Sequence, residues 1–232
     1  TFEGLATQSP FIKTVNKLLQ VLKEKMQNPV DIEFAFDGKH IYLLQCRSQS
    51  SRVESLPGPI PKDLRQSDII FSARRHIFNG KIPDISHIVY VDPDGYNDLQ
   101  SIDDLAAVGR AVGMINTMLP KRRFVLMGPG RWGSRGDIKL GVQVSYADIN
   151  NCAAIIEIAK KKSNYVPELS FGTHFFQDLV EANIRYLPLY PDDEGIVFNT
   201  IFLTRTQNIL PQLLPDYARF ERVLRVIDVP ES

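Results

Sequence analysis

The chain has very few cysteines: Cys46 and Cys152 stand alone among 232 residues. Each lies within an apolar stretch, and neither resembles a metal site, so we expect two buried thiols in a reducing compartment. Apolar runs stay well short of the roughly 18 residues that a membrane helix needs, and no charged-then-apolar leader opens the chain. We therefore expect no membrane span and no signal peptide, and the expected location is cytoplasmic.

An excess of charge of either sign is also missing, since 27 basic side chains balance 27 acidic ones. Bulk electrostatics therefore predict neither a nucleic acid nor an anionic membrane as a partner, although a local basic patch is allowed. The first residue is Thr1 rather than Met. Because mid-domain-looking sequence follows at once, we expect an excised piece of a longer protein.

The first fifty residues predict a helix followed by a β-hairpin. An apolar stripe at helical spacing runs from Phe11 to about Met26. Two β-rich runs, Val30–Phe36 and His40–Cys46, flank Asp37-Gly38, a strong hairpin signal. A proline- and serine-rich stretch then has the composition of a connector. We predict a domain end at 1–52, a linker at 53–63 and a second domain at 64–232.

The second part alternates short β-rich runs with helical runs, which predicts a separate mixed α/β (α+β) domain without fixing its strand order. Helices are expected at Ile102–Met118, Thr173–Asn183 and Gln207–Leu214. The expected strands are Ile69–Ala73, His87–Val91, Arg123–Met127, Gly141–Ser145, Ala153–Ile158, Ile184–Leu189 and Val223–Val229.

Three polar residues of the hairpin are of the types that bind a nucleoside triphosphate. Glu33 alternates with apolar neighbours, and Gln45 and Arg47 share a face of the returning strand. A two-residue turn would place Glu33 opposite Tyr42, on the wrong face, whereas a three-residue turn would place it opposite Ile41, on the same face. Carboxylate and amide oxygens could bind Mg²⁺ while Arg47 binds phosphate. An amphipathic hairpin with a solvated polar face is the alternative.

The same hairpin resembles a known family. The runs Asp-Ile-Glu-Phe-Ala at 31–35, Asp-Gly-Lys at 37–39 and Ile-Tyr-Leu-Leu-Gln-Cys-Arg at 41–47 are similar to the hairpin that closes the nucleotide-binding domain of pyruvate phosphate dikinase and phosphoenolpyruvate synthase. The resemblance implies an ATP-grasp-like fold with ATP and Mg²⁺ as cofactors. It gives Glu33 and Gln45 a metal and nucleotide role, and it brings Arg47 to the phosphates. Cys46 stands where a small residue is usual.

The resemblance also implies a larger enzyme, which passes phosphoryl groups from ATP through a protein histidine toward pyruvate. The upstream lysine, the glycine-rich cover and the phosphoryl-carrier histidine motif of that family are absent from this sequence. We therefore expect the parent to be an ATP-dependent phosphotransferase, with nucleotide and a small molecule as substrates. The fragment alone is expected to be inactive, and the remainder of the parent chain is its expected partner.

A glycine-rich loop follows the strand predicted at Arg123–Met127. Its glycine amides could face an anion, its arginines could bind phosphate or carboxylate, and its tryptophan could stack on a base. The alternative is a structural turn packed around the tryptophan. The stretch has neither a Walker A sequence nor a following helix typical of dinucleotide sites. The candidate anion residues are Gly128, Gly130, Arg131, Trp132, Gly133 and Arg135.

His174 is a further candidate, because Thr173 is expected to cap a helix whose first turn contains this histidine. It is either a general acid/base or ligand contact, or a core residue packed beside Phe175 and Phe176. We assign no catalytic residue. The runs Gly-Pro-Gly-Arg-Trp-Gly-Ser and Gly-Thr-His-Phe-Phe resemble a region that follows dikinase-like domains in some bacterial proteins. Two other hypotheses are a regulatory module sensing an anionic metabolite at 128–136 and a scaffold for a homo-oligomer.

Overall fold

The computed structural model describes residues 10–26, 30–48, 63–77, 80–82, 84–133, 141–161 and 165–229, with the side chains of residues 47 and 48 outside this description. The chain divides into two compact units, residues 1–53 and 54–232. Most of the connector expected at 53–63 lies outside the described residues, so its limits stay a prediction.

The first unit contains helix α1 (Phe11–Met26) and an antiparallel hairpin of strands β1 (Val30–Phe36) and β2 (Ile41–Ser48). The ring of Phe11 lies 5.8 Å from that of Phe34 and 4.7 Å from that of Phe36. These contacts place α1 on the hairpin face that carries the apolar side chains of β1. The opposite hairpin face is left to the polar positions.

The second unit is built on a five-stranded sheet. Its elements in chain order are β3 (His87–Val91), α2 (Pro93–Asp98), α3 (Ile102–Met118), β4 (Phe124–Pro129), β5 (Ala154–Ile158), α4 (His174–Glu181), β6 (Arg185–Leu189), α5 (Thr200–Arg205), α6 (Leu210–Leu213) and β7 (Leu224–Asp228).

The strands are arranged in the order β6-β5-β4-β3-β7. Strands β3 to β6 run parallel, and β7 pairs antiparallel with β3. Because β3 to β6 run in the same direction, all their amino ends lie at one edge and all their carboxyl ends lie at the other. The sheet thus gathers residues from distant parts of the sequence at two edges.

Both faces of this sheet are buried, which explains the nearly continuous apolar strands. Val89 and Val91 of β3 face a core that includes Val108 of α3 and Leu179 of α4. The alternate residues of β3 face a second core that includes Leu203 of α5.

Helix α3 begins after Ser101, whose side chain accepts a hydrogen bond from the amide of Asp103, as expected for a serine at a helix start.

Helix α3 approaches the neighbouring backbone very closely at Gly109. A Cβ placed on Gly109 would lie 2.2 Å from the carbonyl oxygen of Gln143. Glycine is therefore required here by space, although the helix would prefer alanine.

The α/β (α+β) class is confirmed, and β3 and α3 have the limits that the sequence predicts. The strand expected at Gly141–Ser145 is wrong, because among these residues only Gly141 pairs, in an isolated bridge with Gly130. The strand expected at Ile69–Ala73 is likewise reduced to one bridge, from Phe71 to Phe198.

The helix expected at Gln207–Leu214 is shortened to α6. The side chain of Asn208 accepts hydrogen bonds from the amides of Leu210 and Val226, and the amide of Ile209 donates to the Val226 carbonyl. These bonds tie the start of the segment to β7, so the helix begins only at Leu210. Across the described ranges, no helix combines the length and the apolar character required to span a bilayer.

Candidate functional site

The hairpin register differs from both turn lengths weighed from the sequence. Phe36 pairs with Ile41, so residues 37–40 form a four-residue turn. Regular pairing from such a turn would place Glu33 opposite Leu44 and would put Gln45 on the other face. Instead, a β-bulge lets the ladder skip Leu44, and Glu33 pairs with Gln45. The bulge thus brings the two predicted ligands onto one face.

Arg47 occupies the next position on this face, where its backbone pairs with Asp31. Cross-strand partners point to the same side of a hairpin, so positions 31, 33, 45 and 47 share the face turned away from α1. Glu33 is exposed, and Gln45 is half-buried. The side chain of Arg47 lies outside the described part of the structure.

The turn that fixes this register is held by Asp37. Its side chain accepts hydrogen bonds from the backbone amides of Lys39 (2.8 Å) and His40 (2.7 Å) and from the hydroxyl of Tyr42 (2.8 Å). The amide bonds, with help from the tyrosine, lower the pKa of Asp37 to about 2. Gly38 takes the positive φ of 94° that the turn requires.

The glycine-rich loop directs two of its amides into the protein. The amide of Gly130 donates to the carbonyl of Ile158 at 3.0 Å. The amide of Trp132 donates to the Glu157 carboxylate at 2.9 Å. Neither amide is therefore directed at an external anion.

The tryptophan of the loop is fully buried. Its ring packs so closely on Gly128 that a Cβ there would lie 2.5 Å from the ring atom Cζ2. Gly133 has a φ of 69°, and a Cβ there would lie 2.5 Å from the ring of Phe175. For Trp132 the geometry supports the structural turn rather than stacking on a base.

The two arginines of the loop differ in what the structure describes. The guanidinium of Arg131 lies 3.6 Å from the carboxylate of Glu168, so an acidic partner already faces its charge. Arg135 falls within 134–140, outside the described residues. The ligand role of these arginines stays a prediction.

Glu157 organises the loop, although no role for it is predicted from the sequence. This β5 carboxylate has no exposed surface, and it also accepts hydrogen bonds from the amide of Ser170 (2.6 Å), the hydroxyl of Ser170 (2.6 Å) and the hydroxyl of Tyr186 (2.7 Å). The acceptor for the amide of Trp132 is thus part of the protein itself. A single acidic residue inside the apolar run Ala-Ile-Ile-Glu-Ile was the available signal.

Burial raises the pKa of Glu157 from 4.5 to about 7, although its hydrogen bonds act in the opposite direction. Between these values the folded protein holds a proton that the unfolded chain has released. The stability linked to Glu157 is therefore fully present below pH 4.5 and is lost as pH rises through about 7.

The free energy of unfolding linked to the protonation of Glu157 changes by roughly 3 kcal/mol in total across this pH range. Urea unfolding at pH 5, 6, 7 and 8 should show the free energy of unfolding of the wild type falling relative to that of Glu157→Gln. A difference between the two proteins that stays constant with pH would contradict this linkage.

His174 is the first residue of α4, and Thr173 caps that helix through its side chain, as predicted. The imidazole is exposed, with its Nδ1 lying 3.3 Å from the side-chain oxygen of Gln177. The alternative of a packed core histidine is therefore wrong. A role in acid/base chemistry or ligand binding stays a prediction.

Comparison with protein families bears on the first unit. Residues 6–68 match the family model described as the pyruvate phosphate dikinase AMP/ATP-binding domain. The N-terminal segment is dikinase-like. This confirms the resemblance drawn from the hairpin motif. No curated protein and no solved structure matches the chain significantly.

The dikinase-like segment extends past the boundary predicted at residue 52 and ends at residue 68, well before β3 begins at His87. It covers less than half of the chain, and the whole five-stranded sheet lies outside it. The AMP/ATP-binding description therefore applies to α1, the hairpin and the connector, and the second unit needs its own account.

The polar face of the dikinase-like hairpin is chemically suited to Mg²⁺. Asp31, Glu33 and Gln45 offer oxygen donors at neighbouring positions. Within the described ranges, no group of three or more histidine, cysteine or acidic side chains could enclose a metal ion. Such a face fits a cation that takes one or two protein oxygens and completes its shell with water and nucleotide phosphates.

Proposed function

We propose that residues 6–68 form the last part of an ATP-grasp-like domain that binds ATP and Mg²⁺ in a dikinase-like phosphotransferase. The observation that supports this most is the register, in which Glu33 faces Gln45 and Arg47 follows on the same face. This arrangement occurs within a segment that matches an AMP/ATP-binding domain. Glu33 and Gln45 would bind the metal, and Arg47 would bind phosphate oxygens.

Each group has a distinct task in this proposal. A magnesium ion held by Glu33 and Gln45 would supply positive charge to offset that of the phosphate oxygens. Glu33 and Gln45 orient the phosphate chain through their oxygens, while a guanidinium at Arg47 offers two parallel donors to a phosphate. We assign no nucleophile to this chain. The phosphoryl acceptor would come from the rest of the parent enzyme.

The exposed apolar side chains of the first unit support the proposal that further polypeptide completes the nucleotide site. Neither α1 nor β1 contains a buried residue, even though both carry several large apolar side chains. Val21 of α1 is 46% exposed, and Leu43 of β2 is 43% exposed. A unit of about fifty residues whose helix and first strand bury no side chain fully has too small an apolar core to be stable by itself. We propose that the remainder of the nucleotide domain covers these side chains, and that the parent works in the cytoplasm, where it could assemble as a homo-oligomer.

Replacing Arg47 by alanine should weaken ATP binding to the full-length protein about ten- to a hundred-fold, because a charge-assisted bond to phosphate contributes about 1.5–3 kcal/mol. Glu33→Gln should weaken binding of ATP with Mg²⁺ more than binding of ATP in EDTA, since it removes a charged metal ligand. Isothermal titration calorimetry measures both affinities.

Lys39→Ala is the matched control, because it removes one positive charge from the turn of the same hairpin. Its ATP affinity should stay within about two-fold of the wild type, as expected for a solvated surface charge. Equal losses in Arg47→Ala and Lys39→Ala would contradict a phosphate contact at Arg47. An isolated 232-residue chain that binds ATP as tightly as the full-length protein would contradict the incomplete site.

The alternative function, a module sensing an anionic metabolite at residues 128–136, has less support. The amides of Gly130 and Trp132 donate to groups inside the protein, and Arg131 faces Glu168. This alternative function would require Arg131 to release Glu168 and to bind the metabolite together with Arg135. Binding of a dicarboxylate that is lost in Arg131→Ala and kept in Arg47→Ala would favour it.

A further inference from the structure

A cationic cleft lies at the edge of the sheet where β4, β5 and β6 begin. Its volume is about 490 Å³, within the range of small-molecule sites. The chain as a whole has no net charge, so this lining is a local concentration of positive charge. The charged residues of this amino-edge cleft are Lys81, Asp84, Lys121, Arg122, Arg123 and Arg185.

The parallel sheet explains why these residues meet. Arg122 and Arg123 directly precede β4, Ala153 directly precedes β5, and Arg185 is the first residue of β6. Adjacent parallel strands begin at one edge, so three separate segments converge there. Ala153 precedes the middle one of these three strands, and it contributes only a small side chain to the lining between the arginines of β4 and β6.

The backbone of the amino-edge cleft is fixed by hydrogen bonds. The amide of Arg122 donates to Asn151 at 2.7 Å, and the amide of Arg185 donates to Ala153 at 3.0 Å. The amide of Arg123 donates to the Pro120 carbonyl at 3.1 Å. The backbone positions that carry the three arginines are therefore fixed before any ligand arrives, which lowers part of the entropic cost of binding.

Neutral acceptors hold part of this charge in place. The guanidinium of Arg122 donates to the carbonyls of Cys152 and Ala182, each at 2.6 Å. Carbonyl acceptors orient the guanidinium without cancelling its charge. Lys81 and Lys121 are exposed, and within the described part of the chain neither forms an ion pair. Asp84 is the one carboxylate in the lining.

We propose that the amino-edge cleft binds a small ligand carrying a di- or polyphosphate group. Closely spaced lysine and arginine side chains suit several adjacent phosphate charges, which they can contact as point charges and as bidentate donors. The lining is a compact set of nine residues around one open hollow rather than a long basic stripe, and the chain is neutral overall. Both features favour a small ligand over a nucleic acid backbone.

Inorganic pyrophosphate is the probe, titrated into the 232-residue chain at about 150 mM salt, where surface charges are screened. Binding should perturb the NMR signals of the Asn183 amide and the Arg185 side chain, which line the cleft. The double variant Lys81→Ala/Lys121→Ala should weaken this affinity at least about ten-fold. Both lysines are exposed, so the variant should fold normally.

Lys13→Ala/Lys17→Ala is the matched control, because it removes two exposed lysines from α1 in the other unit. It should leave pyrophosphate affinity within about two-fold of the wild type. Arg47→Ala should also keep this affinity, which separates the cleft from the proposed ATP site. The proposal is overturned if pyrophosphate fails to perturb the NMR signals of the cleft. It is overturned equally if the two double-lysine variants lose the same amount of pyrophosphate affinity. It is also overturned if duplex DNA binds the cleft more tightly than pyrophosphate.

Discussion

Glu157→Ala should lower the free energy of unfolding of the second unit by at least about 3 kcal/mol at pH 6, since each buried donor left without its acceptor costs about 1–3 kcal/mol. The carboxylate accepts from the amides of Trp132 and Ser170 and from the hydroxyl of Tyr186. Alanine offers none of these groups an acceptor, and it leaves a cavity between strands. Urea unfolding monitored by tryptophan fluorescence measures the loss.

Glu168→Ala is the control for this result. Glu168 is exposed, and its contact with the loop is a 3.6 Å ion pair to Arg131. A surface pair of this kind contributes about 1 kcal/mol or less, so the control should unfold nearly as the wild type does. Glu157→Gln should fall between the two, because its amide keeps one acceptor oxygen. Equal stability of Glu157→Ala and Glu168→Ala would show that the buried network does not hold the loop.

Gly109→Ala should lower the free energy of unfolding by about 2 kcal/mol or more, despite the roughly 1 kcal/mol that alanine adds to a helix. The new Cβ would lie 2.2 Å from the backbone carbonyl of Gln143, which cannot rotate away as a side chain would. Helix α3 would have to move off the segment that contains Gln143. For a chain of this size the melting temperature should fall by roughly 4–8 °C, measured by circular dichroism.

Arg110→Ala serves as the comparison on the same helix, because this position is exposed. It should change stability by no more than about 0.5 kcal/mol. If Gly109→Ala instead raised the melting temperature, as helix propensity alone predicts, the close approach of α3 to Gln143 would be wrong.

Local elements of the fold could be read from the sequence with good accuracy. The capping serine before Ile102 and the periodic apolar positions define α3 at both ends, and the β-branched run at His87–Val91 defines β3. Helix α2 was missed, because it is short and contains Pro93 and Gly95, which normally indicate a turn. Strand order was also out of reach, since it depends on packing between residues far apart in the chain.

The candidate site shows the same division between local and long-range information. The sequence predicts ligand roles for Glu33, Gln45 and Arg47, which stay predictions, and neither turn length predicted from it is right, because a bulge has no simple sequence signal. For the glycine-rich loop the sequence predicts an external anion. The acceptor that the structure places at the Trp132 amide is the side chain of Glu157, which lies 25 positions after Trp132 and reaches it only through strand pairing.

The bulge at Leu44 makes the length of β2 adjustable at that one position. Removing Leu44 would leave Glu33 opposite Gln45 in an ordinary ladder, so position 44 can be gained or lost without changing which side chains meet. The spacing from Gln45 to Arg47 has no such freedom, because a single-residue change there would turn Arg47 to the other face. Deleting Leu44 should therefore keep Glu33 and Gln45 paired, whereas a one-residue insertion between Gln45 and Arg47 should separate Arg47 from them.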